Sequence, residues 1–256
     1  MSLFGRAGVD RKLFFILLVA SILANVAVLP YTSYLDLLHI PKPLFLFIAA
    51  VFIQTTIMFS IFIFIGLLLG NKVGLGTPLI EDWLNGKSIK DRLKPVLTIS
   101  IVLGILVGIS LFILDRFVFA VFVEPVTTSQ AKPPLWQRFL ASFYGGIGEE
   151  IAMRLFLMTL IVWMSYKIAR TKDNKPTTVG VWSAIIIISV IFGLGHLPMT
   201  AQFTAITPVV VIRAIVLNGI AGVAFGWLYW KRGLESAIIS HFSADIILHV
   251  ILPSLY

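Results

Sequence analysis

The chain has 256 residues, 59% of them hydrophobic and 12% charged, with a mean hydropathy of +1.00, whereas a soluble domain is roughly half apolar and about a quarter charged. This balance excludes a soluble globular protein, and high hydrophobicity with no cysteine and 19 scattered glycines also excludes disorder, a disulfide scaffold and collagen. A polytopic membrane protein remains. Without Cys there is no disulfide, thiolate metal site or thiol nucleophile, so any chemistry falls to Glu, Asp, His, Ser or Arg. A net charge of +8 would suit a nucleic-acid partner, but the Lys and Arg residues stand in short clusters between apolar runs, as topology signals do, so no nucleic acid is expected.

A helix crosses the hydrocarbon with about 20 mostly apolar residues. In chain order seven stretches qualify: Leu13 to Leu29, Pro43 to Gly70, Val96 to Phe122, Arg138 to Tyr166, Thr177 to Leu197, Thr207 to Trp230 and Leu234 to Leu252. The expected fold is an all-α, polytopic transmembrane bundle of seven or eight spans. The first run could also be a signal peptide with small residues near Ala20 and Ala24, although a retained helix agrees better with the loop charges. After it, His39 beside Pro41 reads as solvated. The 71–95 stretch mixes Gly74, Gly76, Pro78 and Gly86 with Leu79, Ile80, Trp83 and Leu84, which predicts a loop with a short interfacial helix. Residues 1–132 therefore read as N-terminal transmembrane helices with an interfacial loop, and residues 133–256 as the core that carries the chemistry.

Cytoplasmic loops are enriched in Lys and Arg. The N-terminus, the 71–95 loop, the 167–176 loop and the 231–233 turn together hold fourteen such residues, against four on the opposite side. Seven helices with the N-terminus inside and the C-terminus outside fit that bias.

An ionisable residue at bilayer depth costs several kcal/mol and marks function by default. Here the fourth stretch reads Gly-Gly-Ile-Gly-Glu149-Glu150-Ile-Ala-Met-Arg154. In an α-helix Glu150 and Arg154 pair at i, i+4, while Glu149 points about 100° away from Glu150 and faces a cavity as a candidate general base. His196 ends the fifth stretch four residues after Phe192, and His241 precedes Asp245 by four in the seventh. A buried ion network that only holds helices together is the plainer alternative. His249 reads as interfacial, and Arg213 as snorkelling from the outer end of the sixth stretch. Gly104 with Gly108, and Gly222 with Gly226, have the spacing of close helix packing; the phenylalanines and leucines read as lipid-facing bulk.

From Pro133 to Leu252 these residues resemble the CAAX prenyl protease and bacteriocin-processing family of intramembrane glutamic endopeptidases, also called the abortive-infection family. Its motifs Glu-Glu-xxx-Arg, Phe-xxx-His and His-xxx-Asn or Asp are matched in order by Glu149, Glu150 and Arg154, by Phe192 and His196, and by His241 and Asp245. The resemblance implies that Glu149 and His196 activate a water for attack on a peptide carbonyl. His241 and Asp245 would hold the oxyanion, with Glu150, Arg154 and Phe192 in structural or orienting roles and no metal or other cofactor. It implies membrane lipid and a peptide or lipidated protein, CAAX-like or prenylated, as partners, in a prokaryotic-like cell membrane. Asp stands at 245 where prenyl-protein proteases typically carry Asn, and an ionised Asp cannot donate a hydrogen bond. By the charge count the site also opens toward the less basic side, whereas prenylated tails require cytosolic access. Three rivals stay open: a zinc protease using Glu149, His196, His241 and Asp245, although His-Glu-xx-His is absent; a transporter or proton relay; and a silent scaffold in membrane immunity.

Overall fold

The computed structural model describes residues 8–35, 44–123 and 132–255; His39 lies outside them. Among the described residues there is no strand, and seven helices are long and apolar enough to cross a membrane. In lipid a spanning segment must satisfy its own backbone groups, so an uninterrupted apolar run becomes helix. The helices are α1 (Arg11–Tyr34), α2 (Phe45–Val73), the short α3 (Pro78–Leu84), α4 (Lys90–Phe122), α5 (Leu135–Ile168), α6 (Thr178–Thr200), α7 (Pro208–Arg232) and α8 (Leu234–Leu255). Each span matches one of the seven apolar stretches. Several run past their apolar limits into charged or aromatic flanks, as α4 does in starting at Lys90.

Local signals set the ends. The Asp10 carboxylate accepts the backbone N–H groups of Lys12 and Leu13 at the start of α1, and the Thr177 hydroxyl accepts that of Gly180 at the start of α6. Gly233, at φ +101°, turns the chain between α7 and α8, a conformation that favours glycine.

The spans pack α6 on α7, α4 on α8, and α1 and α2 on α5. Both small-residue pairs lie in these seams. A Cβ on Gly104 or Gly108 would strike the backbone of Ser240 or the side chain of Ile247 on α8, and one on Gly222 would strike Ser189 on α6. Not every aromatic and aliphatic residue faces lipid as expected: Phe59, Ile63, Phe225 and Leu228 are fully buried, because they fill the space between helices. Arg213 does not snorkel alone either. Its guanidinium donates from Nε and Nη2 to the two oxygens of Asp115 at 2.6 and 2.8 Å, tying the first turns of α7 to the last turns of α4, a bidentate geometry that suits Arg.

The predicted short helix forms as α3, held by a partner the sequence did not suggest. Glu235, in the first turn of α8, accepts the backbone N–H groups of Leu79 and Ile80, both at 2.8 Å. The Leu234 N–H donates to the Gly76 carbonyl at 2.9 Å. Leu79 is buried and Trp83 exposed, so α3 is tied along one face to the start of α8.

Substituting Gly104 by leucine should force α4 from α8 and cost about 1–3 kcal/mol, seen as a lower midpoint of thermal unfolding in detergent. Gly219→Ala, whose Cβ would meet nothing within 4 Å, should stay within about 0.5 kcal/mol of the parent.

Candidate active site

The centre of α5 is not regular α-helix. It widens into π-helical turns over Tyr144–Glu149 and again over Ile151–Met158, so the angles expected of a 3.6-residue turn do not hold there. Wide turns of this kind frequently mark functional sites. The first spans Tyr-Gly-Gly-Ile-Gly-Glu, and its glycines let α5 touch α8. A Cβ on Gly145 would collide with the Asp245 carboxylate and lie 3.2 Å from His241 Nε2, and one on Gly146 would stand 3.0 Å from the Phe242 Cβ.

The two adjacent acids are separated as expected. Glu150 is fully buried, with its Oε1 2.9 Å from Arg154 Nη1 and 2.7 Å from His241 Nδ1. The Arg154 contact is an ion pair without the alignment of a hydrogen bond, and Glu150 Oε2 has no partner among the described residues. Arg154 Nη2 donates to the Gly222 carbonyl at 3.3 Å, and its guanidinium lies 5.0 Å from the Phe192 ring centre and 5.6 Å from that of Phe225, within cation–π range. Phe225 also stacks on His241, with ring centres 4.7 Å apart and planes 22° apart.

Glu149 stays partly accessible, its side chain 23% exposed. Its Oε2 is 3.9 Å from His241 Nε2, which is also 3.7 Å from Asp245 Oδ1. Both separations exceed a direct hydrogen bond. His196, near the C-terminal end of α6, meets the Phe192 carbonyl through Nδ1 at 2.8 Å and sets its ring edge-on to that of Phe192 at 4.7 Å. A carbonyl only accepts, so this bond assigns the proton to Nδ1 and leaves Nε2 of a neutral ring as an acceptor.

The structure thus gathers Glu149, Glu150, Arg154, Phe192, His241 and Asp245, with His196 joined through Phe192. Sequence reasoning missed the His241–Glu150 bond, the Phe225 stack, the Gly222 carbonyl, and His249, whose Nε2 is 3.8 Å from Asp245 Oδ1. Phe225 had one available signal: it follows Gly222 by three residues, on the α7 face that the glycine pair marks. Among the described residues, no three His, Asp or Glu side chains are placed to hold a metal ion. A cavity of about 530 Å³ opens at the end of the bundle that carries α3 and the α7–α8 turn, lined by Asn71, Glu81, Arg92 and Tyr229 among others. None of the gathered residues lines it, so its size does not make it the site.

Residues 131–247 match the family model of the type II CAAX prenyl endopeptidase Rce1-like proteins. No curated protein and no solved structure matches the chain.

Removing one member of a buried ion pair leaves the other unpaired, at about 3–5 kcal/mol, while removing both costs far less. Arg154→Met should therefore lower the unfolding midpoint sharply, and Glu150→Gln in the same chain should recover part of the loss. Additive losses would show that the pair is not coupled.

Proposed function

With residues 131–247 belonging to the Rce1-like family of type II CAAX prenyl endopeptidases, we propose that this integral membrane protein hydrolyses a peptide bond by a glutamate-activated water. Within it, residues 133–256 form the catalytic unit and residues 1–132 the helices that support it. The observation that carries the reading is the division of labour between neighbouring acids: Glu150 is occupied by Arg154 and His241, while Glu149 is partly accessible beside the same imidazole.

The chemistry follows from the donors and acceptors. A water between Glu149 and His196 gives a proton to the Glu149 carboxylate as its oxygen attacks the carbonyl carbon of the substrate. His196 Nε2, left as an acceptor by the Nδ1 bond to the Phe192 carbonyl, orients that water. Charge grows on the carbonyl oxygen. His241, with its Nδ1 proton on Glu150, presents Nε2 toward that oxygen and in its doubly protonated form donates to it; Asp245 orients the imidazole from 3.7 Å. The C–N bond then breaks, and the proton held by Glu149 passes to the departing amine. No covalent intermediate is needed. Asp245 in the position where an amide would donate makes His241 the principal oxyanion donor. Arg154 and Phe192 act through Glu150 and His196, as positioning residues. The substrate is a peptide or lipidated protein tail presented at the lipid boundary.

The test is cleavage of a quenched peptide library by the purified protein in detergent. Glu149→Gln and His196→Ala should each lower kcat by about 10²–10⁴-fold with the unfolding midpoint preserved, and activity should survive a metal chelator. His241→Ala should lose about 10²–10³-fold as an oxyanion donor. Cleavage that persists in Glu149→Gln would overturn the mechanism, and loss of wild-type cleavage on chelation would favour the zinc alternative.

A further inference from the structure

The geometry points to a binding site for one phospholipid, distinct from the gathered acids and histidines. The cavity beside α3 takes an anionic headgroup that carries hydroxyls, and an acyl chain lies along α4. Nothing in this inference depends on the peptidase reading.

The level of the cavity in the membrane follows from its walls, which are span ends. Asn71 comes from the last turn of α2, Asp91 and Arg92 from the first turn of α4, and Trp230, Lys231 and Arg232 from the last turn of α7. Spans end where hydrocarbon gives way to headgroups. Trp83 on α3 is exposed, and Trp182, near the start of α6, stands edge-on to Trp230 with ring centres 6.1 Å apart. Trp is enriched at that same level.

The polar groups on the walls select the ligand. Among the described residues neither Lys231 nor Arg232 has an acid within 4 Å; the Lys231 ammonium instead lies 3.3 Å from the centre of the Trp230 ring. Arg92 is already paired with Asp82. Two acids also line the cavity. Glu81 is occupied, its Oε1 accepting the N–H and the hydroxyl of Thr77, both at 3.0 Å. Asp91 has no cationic partner among the described residues, and its backbone carbonyl lacks the regular helical donor because Pro95, four residues on, has no N–H. Unpaired cations call for a phosphate, and acceptors without donors call for hydroxyls beside it. A phosphoglycerol headgroup carries both, whereas choline has no donor to offer.

Pro95 also belongs to a second hollow, an apolar groove formed by Lys94, Pro95, Thr98, Ile99 and Val102. Residues 94, 98 and 102 follow each other at i, i+4 and i+8, with 95 and 99 beside them, so the groove is one stripe running about two turns along α4 into the hydrocarbon. Lys94, likewise without an acid within 4 Å among the described residues, stands where the stripe meets the cavity. A polar hollow of about 530 Å³, within the size range of small-molecule sites, is thus joined through one proline to an apolar track. That is the outline of an amphiphile. A soluble anion would leave the track bare, and a lipid without net charge would leave the cations unmatched. Gly76 and Gly233 line the same cavity, and Leu234 bonds back to Gly76, so a headgroup seated there braces α3, α4 and the turn that starts α8.

The test uses the full chain, stripped of lipid in a neutral detergent and mixed with equal amounts of phosphatidylglycerol and phosphatidylcholine. Native mass spectrometry should find a single phosphatidylglycerol retained, preferred over phosphatidylcholine by about fivefold for each cation engaged, and that lipid should raise the unfolding midpoint. Lys231→Gln combined with Arg232→Gln should abolish the preference. Lys172→Gln combined with Lys175→Gln, which removes as much charge from the connection between α5 and α6, should leave it intact. Val102→Trp, at an exposed position, should weaken retention by filling the groove with no change of charge, and it decides the matter even if the double variant at 231 and 232 fails to fold. Equal retention of the two lipids by the wild type would overturn the proposal. So would a preference that survives at 231 and 232 or falls equally at 172 and 175, and so would retention indifferent to Val102→Trp. Glycerol 3-phosphate raising the midpoint as far as phosphatidylglycerol does would assign the cavity to a soluble anion and overturn it as well.

Discussion

The site depends on one buried carboxylate. Glu150 holds the guanidinium of Arg154 one turn along its own helix and the imidazole of His241 from α8 through the same oxygen. Each of these groups would be costly alone in an apolar interior. Together they form a compact cluster that also fixes a proton position, because a carboxylate that accepts at Nδ1 settles which imidazole nitrogen faces the neighbouring acids. Arg154 in turn reaches the Gly222 carbonyl on α7 and the faces of Phe192 and Phe225. One charge network therefore joins α5, α6, α7 and α8, the helices from which every candidate residue projects. The plainer reading, a network that only holds helices together, describes Glu150 and Arg154 well; it leaves Glu149 without a structural partner at hydrogen-bonding distance among the described residues.

That network can close only because α5 is both thin and wide-turned where it passes α8. Glycine at 145 and 146 removes the side chains that would strike Asp245 and Phe242, and the π-helical turns change the directions in which Glu149 and Glu150 leave the backbone. Backbone geometry and side-chain chemistry are thus joined in one short segment. Close approach brings the carboxylates within reach of His241, and the bonds they form hold a helix conformation that is uncommon by itself.

Much of this was legible in the sequence for a simple reason. In lipid, hydrophobic length determines where spans lie, and an ionisable residue within a span is too costly to be incidental. Hence the seven spans, the short helix after Pro78, the Glu150–Arg154 pair and the edge-on contact of Phe192 with His196 could all be read from spacing within single helices. What could not be read are contacts between helices. Phe225 against His241, Glu235 on the backbone of α3 and Asp115 on Arg213 join residues 16, 156 or 98 positions apart, and no periodicity encodes which faces meet. The wide turns of α5 were hidden for another reason: a run of Gly, Ile and Glu is compatible with either helix, and the choice is made by what packs against it.

The Glu235 contact shows how a feature distant from the chemistry sets its depth. α8 begins at Leu234, whose N–H is held by Gly76, and the next residue caps α3. The start of α8 is thereby fixed against the connection before α3, and His241 follows two turns later. A slip of α8 by a single residue would rotate His241 by about 100° away from Glu150 and break the bond at Nδ1. Axial register, which lipid alone specifies poorly because one apolar residue is much like another, is here set by polar contacts at one end of the helix and read out by a charge cluster near its middle. The buried side chains between those two levels, Ala237 and Leu228 among them, transmit the constraint, since close-packed side chains allow no sliding without opening voids. Stability of that connection and geometry of the site are therefore coupled through α8, although among the described residues no hydrogen bond or ion pair joins it to the candidate catalytic groups.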